Sequence, residues 1–257
     1  MMKRQWTIAA VILGLGLLVV SAPEAVAQTA AAGMSPQDVS LNLSMKGGGD
    51  FGKAVNILLL MTALSLAPAA IMMMTSFTRI VIVLSFLRQA LGAQNVPSGR
   101  IISALALFLT LFIMQPVWTE IYATSIEPYS RQQITEQAAF DNGVRPLRNF
   151  MLKQTRENSL LLFMELANVE PVDSPDKLPM TVVIPAFMLS ELKTAFQMGF
   201  LIYLPFLLVD VVVATALMSM GMMMLPPMLI SMPFKLLLFI VVDGWTLMVR
   251  SLVESFS

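Results

Sequence analysis

The chain has no cysteine and no histidine among its 257 residues. Thiol nucleophiles, imidazole bases, haem ligation, iron–sulfur clusters and the usual zinc sites are therefore excluded together. Disulfides are excluded too, so any part outside the cytoplasm must hold itself by packing. Charge is scarce at 12%, about half of what an average soluble domain carries. Sixteen basic residues balance sixteen acidic ones, which argues against a nucleic-acid binder held by net charge. What fills the space is apolar: 57% of the chain is hydrophobic and mean hydropathy is +0.77. That composition excludes disorder and points to a membrane protein that is not an enzyme, with no catalytic, cofactor or metal residues to name.

The first 27 residues have the layout of a cleavable signal peptide. Met1 to Arg4 is a short basic region, Trp6 to Val20 is apolar, and Ala25-Val26-Ala27 supplies the small-x-small cleavage pattern. The sequence predicts a mature chain beginning at Gln28; an uncleaved anchor is the alternative. Residues 28–52 are rich in Ser, Gly, Asn and Gln and read as a flexible exported lead-in.

Four apolar stretches follow, giving an all-α, membrane-associated fold of two long helical hairpins. Ala54 to Thr78 is uncharged, and 25 helical residues reach about 37 Å, enough to cross roughly 30 Å of hydrocarbon. Ile101 to Thr119 is the second run and closes the first hairpin, 53–119. Residues 120–179 form a mainly helical, acidic, exported portion. Met180 to Gly221 and Leu225 to Leu252 make the second hairpin, 180–257; they contain Glu191, Lys193, Asp210, Lys235 and Asp243. With Arg250 near the end of the last segment, these charges make poor lipid-facing helices. Arg79, Arg88 and Arg100 fall in a connection without an acid, and the positive-inside rule reads them as cytoplasmic topology determinants. Contact with a cytoplasmic partner is the sharper alternative for the three arginines.

The turn of the second hairpin is Gly221-Met222-Met223-Met224-Leu225-Pro226-Pro227-Met228. Pro226 and Pro227 break the helix. Nothing charged or hydroxylated lies between Met220 and Ile230, which is unusual for a turn. Methionine is a flexible gap filler in helical contacts, and that is the plain explanation. Cu(I) ligation lacks His or Cys support and suitable spacing. In a third reading, several copies present Met222, Met223 and Met224 to a shared axis as a deformable apolar constriction.

Two segments then resemble the signatures of the FliP family: Pro185-Ala186-Phe187-Met188-Leu189-Ser190-Glu191-Leu192-Lys193-Thr194-Ala195-Phe196-Gln197-Met198-Gly199-Phe200, and Pro233-Phe234-Lys235 continuing to Asp243-Gly244-Trp245. The resemblance runs from about Ile57 onwards. It implies a subunit of the flagellar type III export gate in the bacterial inner membrane and basal body. It also implies about five copies of the chain, assembled with FliQ-like and FliR-like membrane proteins and other export-apparatus and basal-body proteins. Unfolded flagellar proteins would pass through the centre, with no cofactor. Two other classes stay open: an ion-coupled transporter using Glu191, Asp210 and Asp243, and a purely structural scaffold. No inverted repeat supports the transporter.

Lys235 needs a partner or a route to water. Asp210 lies at similar depth across a straight hairpin. Glu191 lies roughly 50 Å before the turn along a straight helix, which excludes pairing within one straight hairpin; Pro205 is expected to break that helix, and oblique packing in a ring then brings Glu191 of a neighbouring subunit alongside. The cross-subunit Glu191–Lys235 pair is the slightly favoured expectation, because both residues lie in the family signatures.

Overall fold

The computed structural model describes residues 50–92, 97–169, 178–222 and 225–256; within them every regular element is a helix. The expected signal peptide and nearly all of the lead-in lie outside the described residues. The chain divides into two compact units, Met1–Ile71 and Met72–Ser257. The first contributes most of α1 (Asp50–Met73), whose apolar part Val55–Met73 is long enough to cross a membrane.

The second unit is organised around α8 (Met180–Ser219), a 40-residue helix of about 60 Å. It runs unbroken through Pro185 and Pro205, so the break expected at Pro205 is absent. Each proline costs a backbone hydrogen bond and a local clash, which a helix supported by neighbours along its length tolerates. Packed on α8 are α2 (Phe77–Ala90), α6 (Glu136–Gln154), α7 (Glu157–Leu166) and α9 (Pro227–Val241). α2 also packs against α3 (Gly99–Ile113). α4 (Gln115–Ile121), a π-helical turn (Tyr122–Ile126) and α5 (Glu127–Ser130) then lead into α6, whose first turn Thr135 caps by accepting from the Ala138 N–H.

α2 corrects the sequence reading. The segment expected to be a basic cytoplasmic connection is a helix, with Arg79, Ile80, Val83, Leu84, Leu87 and Ala90 all buried. At 14 residues it reaches only about 21 Å, short of a bilayer core. It approaches α8 closely at Gly199, where a Cβ would lie 2.6 Å from the Phe86 ring. The second and fourth apolar stretches are also not straight. The helices bend by 55° between Ile113 and Gln115, and by 66° between α9 and α10 (Gly244–Glu254). The second bend turns on Asp243, at φ +49°, and on Gly244, where a Cβ would meet the Phe239 ring at 2.2 Å. Among the described residues two helices are long and apolar enough to cross a membrane, Val55–Met73 and Met180–Ser219, or four if each bent pair is one span.

Two apolar clusters hold the second unit. One joins Ile80, Val83, Leu84 and Leu87 of α2 to Ile102 and Ala106 of α3, Ala195 and Phe206 of α8, Phe239 of α9 and Leu252 of α10. The other gathers Met151 of α6 and Met164 of α7 against Val182, Val183 and Phe187 of α8.

Candidate functional site

Each charge that the sequence singled out in an apolar run has a specific location. Arg79, one turn into α2, projects from the same face as Val83 and Leu87, so the periodicity that buries them buries it. Glu191 meets it from α8 in a fully buried fork: Nε donates to Oε2 at 2.9 Å and Nη2 to Oε1 at 2.5 Å. Nη2 also donates to Gln154 Oε1 at 3.1 Å, and Nη1 to the Ser255 carbonyl and hydroxyl at 2.8 and 3.0 Å. The Phe256 ring lies over the guanidinium at 3.8 Å. All five guanidinium N–H groups have an acceptor, the condition under which a buried arginine is tolerated. Sequence reasoning took Arg79 for a loop residue and missed this hub. The signal was its i, i+4, i+8 alignment with Val83 and Leu87 inside Phe77-Thr78-Arg79-Ile80-Val81-Ile82-Val83-Leu84-Ser85-Phe86-Leu87.

Lys235 makes the second polar centre. Its Nζ donates to Asp210 Oδ2 at 2.6 Å and to the Ala90 carbonyl at 3.1 Å. Ser231, one turn earlier on α9, donates to the other Asp210 oxygen at 2.5 Å. Within the chain Lys235 is held by Asp210 and Glu191 by Arg79; the Glu191–Lys235 pair expected from the sequence was one between neighbouring copies. Asp210 is about 14 Å before the end of α8, and Lys235 about 12 Å after the start of α9. The triad thus ties α8 and α9 together at matching depth and adds the C-terminal end of α2, where Ala90 sits. Arg88 and Arg100 remain near the short connection between α2 and α3; Arg100 is exposed and Arg88 half-buried.

Beyond this clamp is the turn. α8 closes with a Schellman arrangement: the Met222 N–H bonds the Leu217 carbonyl and the Gly221 N–H bonds that of Met218, with Gly221 at φ +76°. Gly221 therefore ends α8. Pro226 and Pro227 begin α9, with Pro227 at its first position, where a missing N–H costs nothing. Met220, Met222, Leu225 and Met228 are all exposed. Met223 and Met224 lie outside the described residues. Among the described residues no group of acidic side chains could hold a metal.

A sequence profile of the FliP family matches residues 60–252, which takes in both polar centres and the turn. This chain belongs to the FliP family. Similar proteins include the flagellar biosynthetic protein FliP of Pectobacterium carotovorum subsp. carotovorum, 51% identical over 210 residues, or 82% of this chain and 81% of that one. That of Bacillus subtilis (strain 168) is 51% identical over 202 residues, covering 79% and 91%. That of Aquifex aeolicus (strain VF5) is 48% identical over 212 residues, covering 82% and 89%. FliP-family membership, with helices fit to cross a membrane, makes the chain a membrane component of the flagellar export apparatus.

Proposed function

We propose that this FliP-family chain is one of about five copies which, with FliQ-like and FliR-like membrane proteins, surround the export channel for unfolded flagellar proteins in the bacterial inner membrane. In this reading the chain catalyses nothing; the turn formed by Met222, Met223 and Met224 closes the channel. The observation that carries it is a charge-free sequence between two defined helix ends, with Met222 and Leu225 exposed on either side of it. The Schellman stop, the Pro226–Pro227 start and the Ser231–Asp210–Lys235 clamp define the helix ends on either side, and unbranched methionine side chains suit a deformable closure. Broad apolar faces on α8 and α9 (Phe200, Leu204, Leu208, Leu237, Val241) remain exposed and suit burial against lipid or other subunits. The transporter alternative loses support, because Glu191 and Asp210 are each held by a cation and a proton relay needs groups free to exchange.

Substituting Met222, Met223 and Met224 together with Ala tests the closure. Cells expressing that variant are expected to leak small ions while native mass spectrometry still finds a multi-copy assembly with two further membrane proteins. Unchanged permeability with the assembly intact favours the scaffold reading; a chain purified alone removes the gate.

A further inference from the structure

Helices α6 and α7 lie outside every candidate membrane span, yet both carry apolar surface to the outside. On α7, Leu161, Leu162 and Leu166 are 54%, 42% and 67% exposed. Leu162 and Leu166 form one i, i+4 row, and Glu157, Leu161 and Glu165 form the row beside it. This ten-residue helix is far too short to cross lipid, so the leucines are not there for a bilayer core. A second surface lies on α6. Phe140, Val144 and Arg148 form one row and Asp141, Arg145 and Asn149 the next, along a cleft of about 1040 Å³ completed by Met74 and Met180. Phe140 is 70% exposed at its edge. One surface is a leucine ridge edged with carboxylates; the other is a largely apolar cleft whose rim carries Arg145 and Arg148 beside a single carboxylate, Asp141. No residue of α7 lines the cleft.

We propose that the leucine–glutamate ridge of α7 in one copy docks into the α6 cleft of the next, with Glu165 facing Arg145. Two different, complementary patches on one chain make a head-to-tail contact, which repeats around a ring or a shallow helix instead of closing as a pair. Burial of the three leucines supplies the attraction, and the rim charges fix register and direction. The inference rests on the gate reading, since it takes several copies for granted, and it names the surface through which they meet.

The chain has no cysteine, so introduced thiols report without background. Two differently tagged full-length chains, one with Leu162→Cys and one with Val144→Cys, are co-expressed with the rest of the export apparatus and oxidised. A mixed disulfide carrying both tags is expected, and neither chain alone should give a dimer. Phe140→Cys with Leu166→Cys is the second pair. Charge reversal gives an independent measure: Glu165→Arg and Arg145→Glu should each remove at least nine-tenths of the multi-copy species, and the double reversal should restore most of it. If neither pair crosslinks while the multi-copy assembly persists, the copies meet elsewhere and the proposal is wrong. Anionic phospholipid retained at the cleft in native mass spectra, with no crosslink, overturns it in favour of a lipid site. A chain that is single even when unsubstituted overturns the gate reading itself.

Discussion

At the scale of single residues, four charges in apolar surroundings fall into two sets, Arg79 with Glu191 and Lys235 with Asp210. Arg79 with Glu191 is the costlier to disturb, because each is fully enclosed and removing one strands the other. Arg79→Met and Glu191→Leu should each destabilise the second unit by about 3–5 kcal/mol, while the double substitution should cost less than the sum. Pulse proteolysis of the purified chain in detergent measures this; strict additivity would mean the fork contributes nothing as a pair. Glu191, Asp210 and Lys235 were legible in the sequence because a charge inside an apolar run stands out. Asp210 was also legible as a candidate partner of Lys235, but Arg79 was not as that of Glu191, because the two are 112 residues apart and only the packing of α2 on α8 brings them together. Lys235 was expected to reach Glu191 of a neighbour on the assumption that Pro205 bends α8. The helix stays continuous, and Asp210 is already within reach.

At the scale of elements, hydropathy located the apolar segments but not their bends. Asp243-Gly244 was a readable breaker, since Gly there removes the side chain that would strike Phe239. The bend at Met114 has Pro116 just beyond it, in the first turn of α4, which the unbroken apolar count from Ile101 to Thr119 concealed. α2 was hidden in another way: its three-arginine surroundings looked like a loop, although Ile80, Val83, Leu84 and Leu87 follow helical spacing. The α2–α8 contact depends on Gly199. Gly199→Ala should push the helices apart and cost about 1–3 kcal/mol, the usual range for overpacking. Shortening the obstructing ring with Phe86→Leu should recover part of the loss, as read by thermal unfolding in detergent. An equal loss in the presence of Phe86→Leu would place the strain elsewhere.

At the scale of the whole molecule, the Arg79 hub also sets which parts share a side of the membrane. Gln154 at the end of α6 and the Ser255–Phe256 backbone beyond α10 are both bound there, since Gln154 Nε2 donates to the Phe256 carbonyl at 3.2 Å. The end of α10 and the end of α6 must therefore face the same compartment. Cysteines placed singly at Gln133 and Ser251 should both react with a membrane-impermeant maleimide added from one side and both be spared from the other. Opposite labelling would mean that the hub does not exist in the membrane.

The separation between Arg79 and Glu191 also bears on the order in which the chain is made. At roughly 5–20 residues per second, on the order of ten seconds pass between synthesis of the guanidinium and synthesis of its carboxylate 112 residues later. During that interval a buried α2 would hold a naked cation in an apolar setting. α2 must therefore wait, at the bilayer surface or in the insertion machinery, until α8 emerges to receive it. Helices this chain makes early are thus installed late.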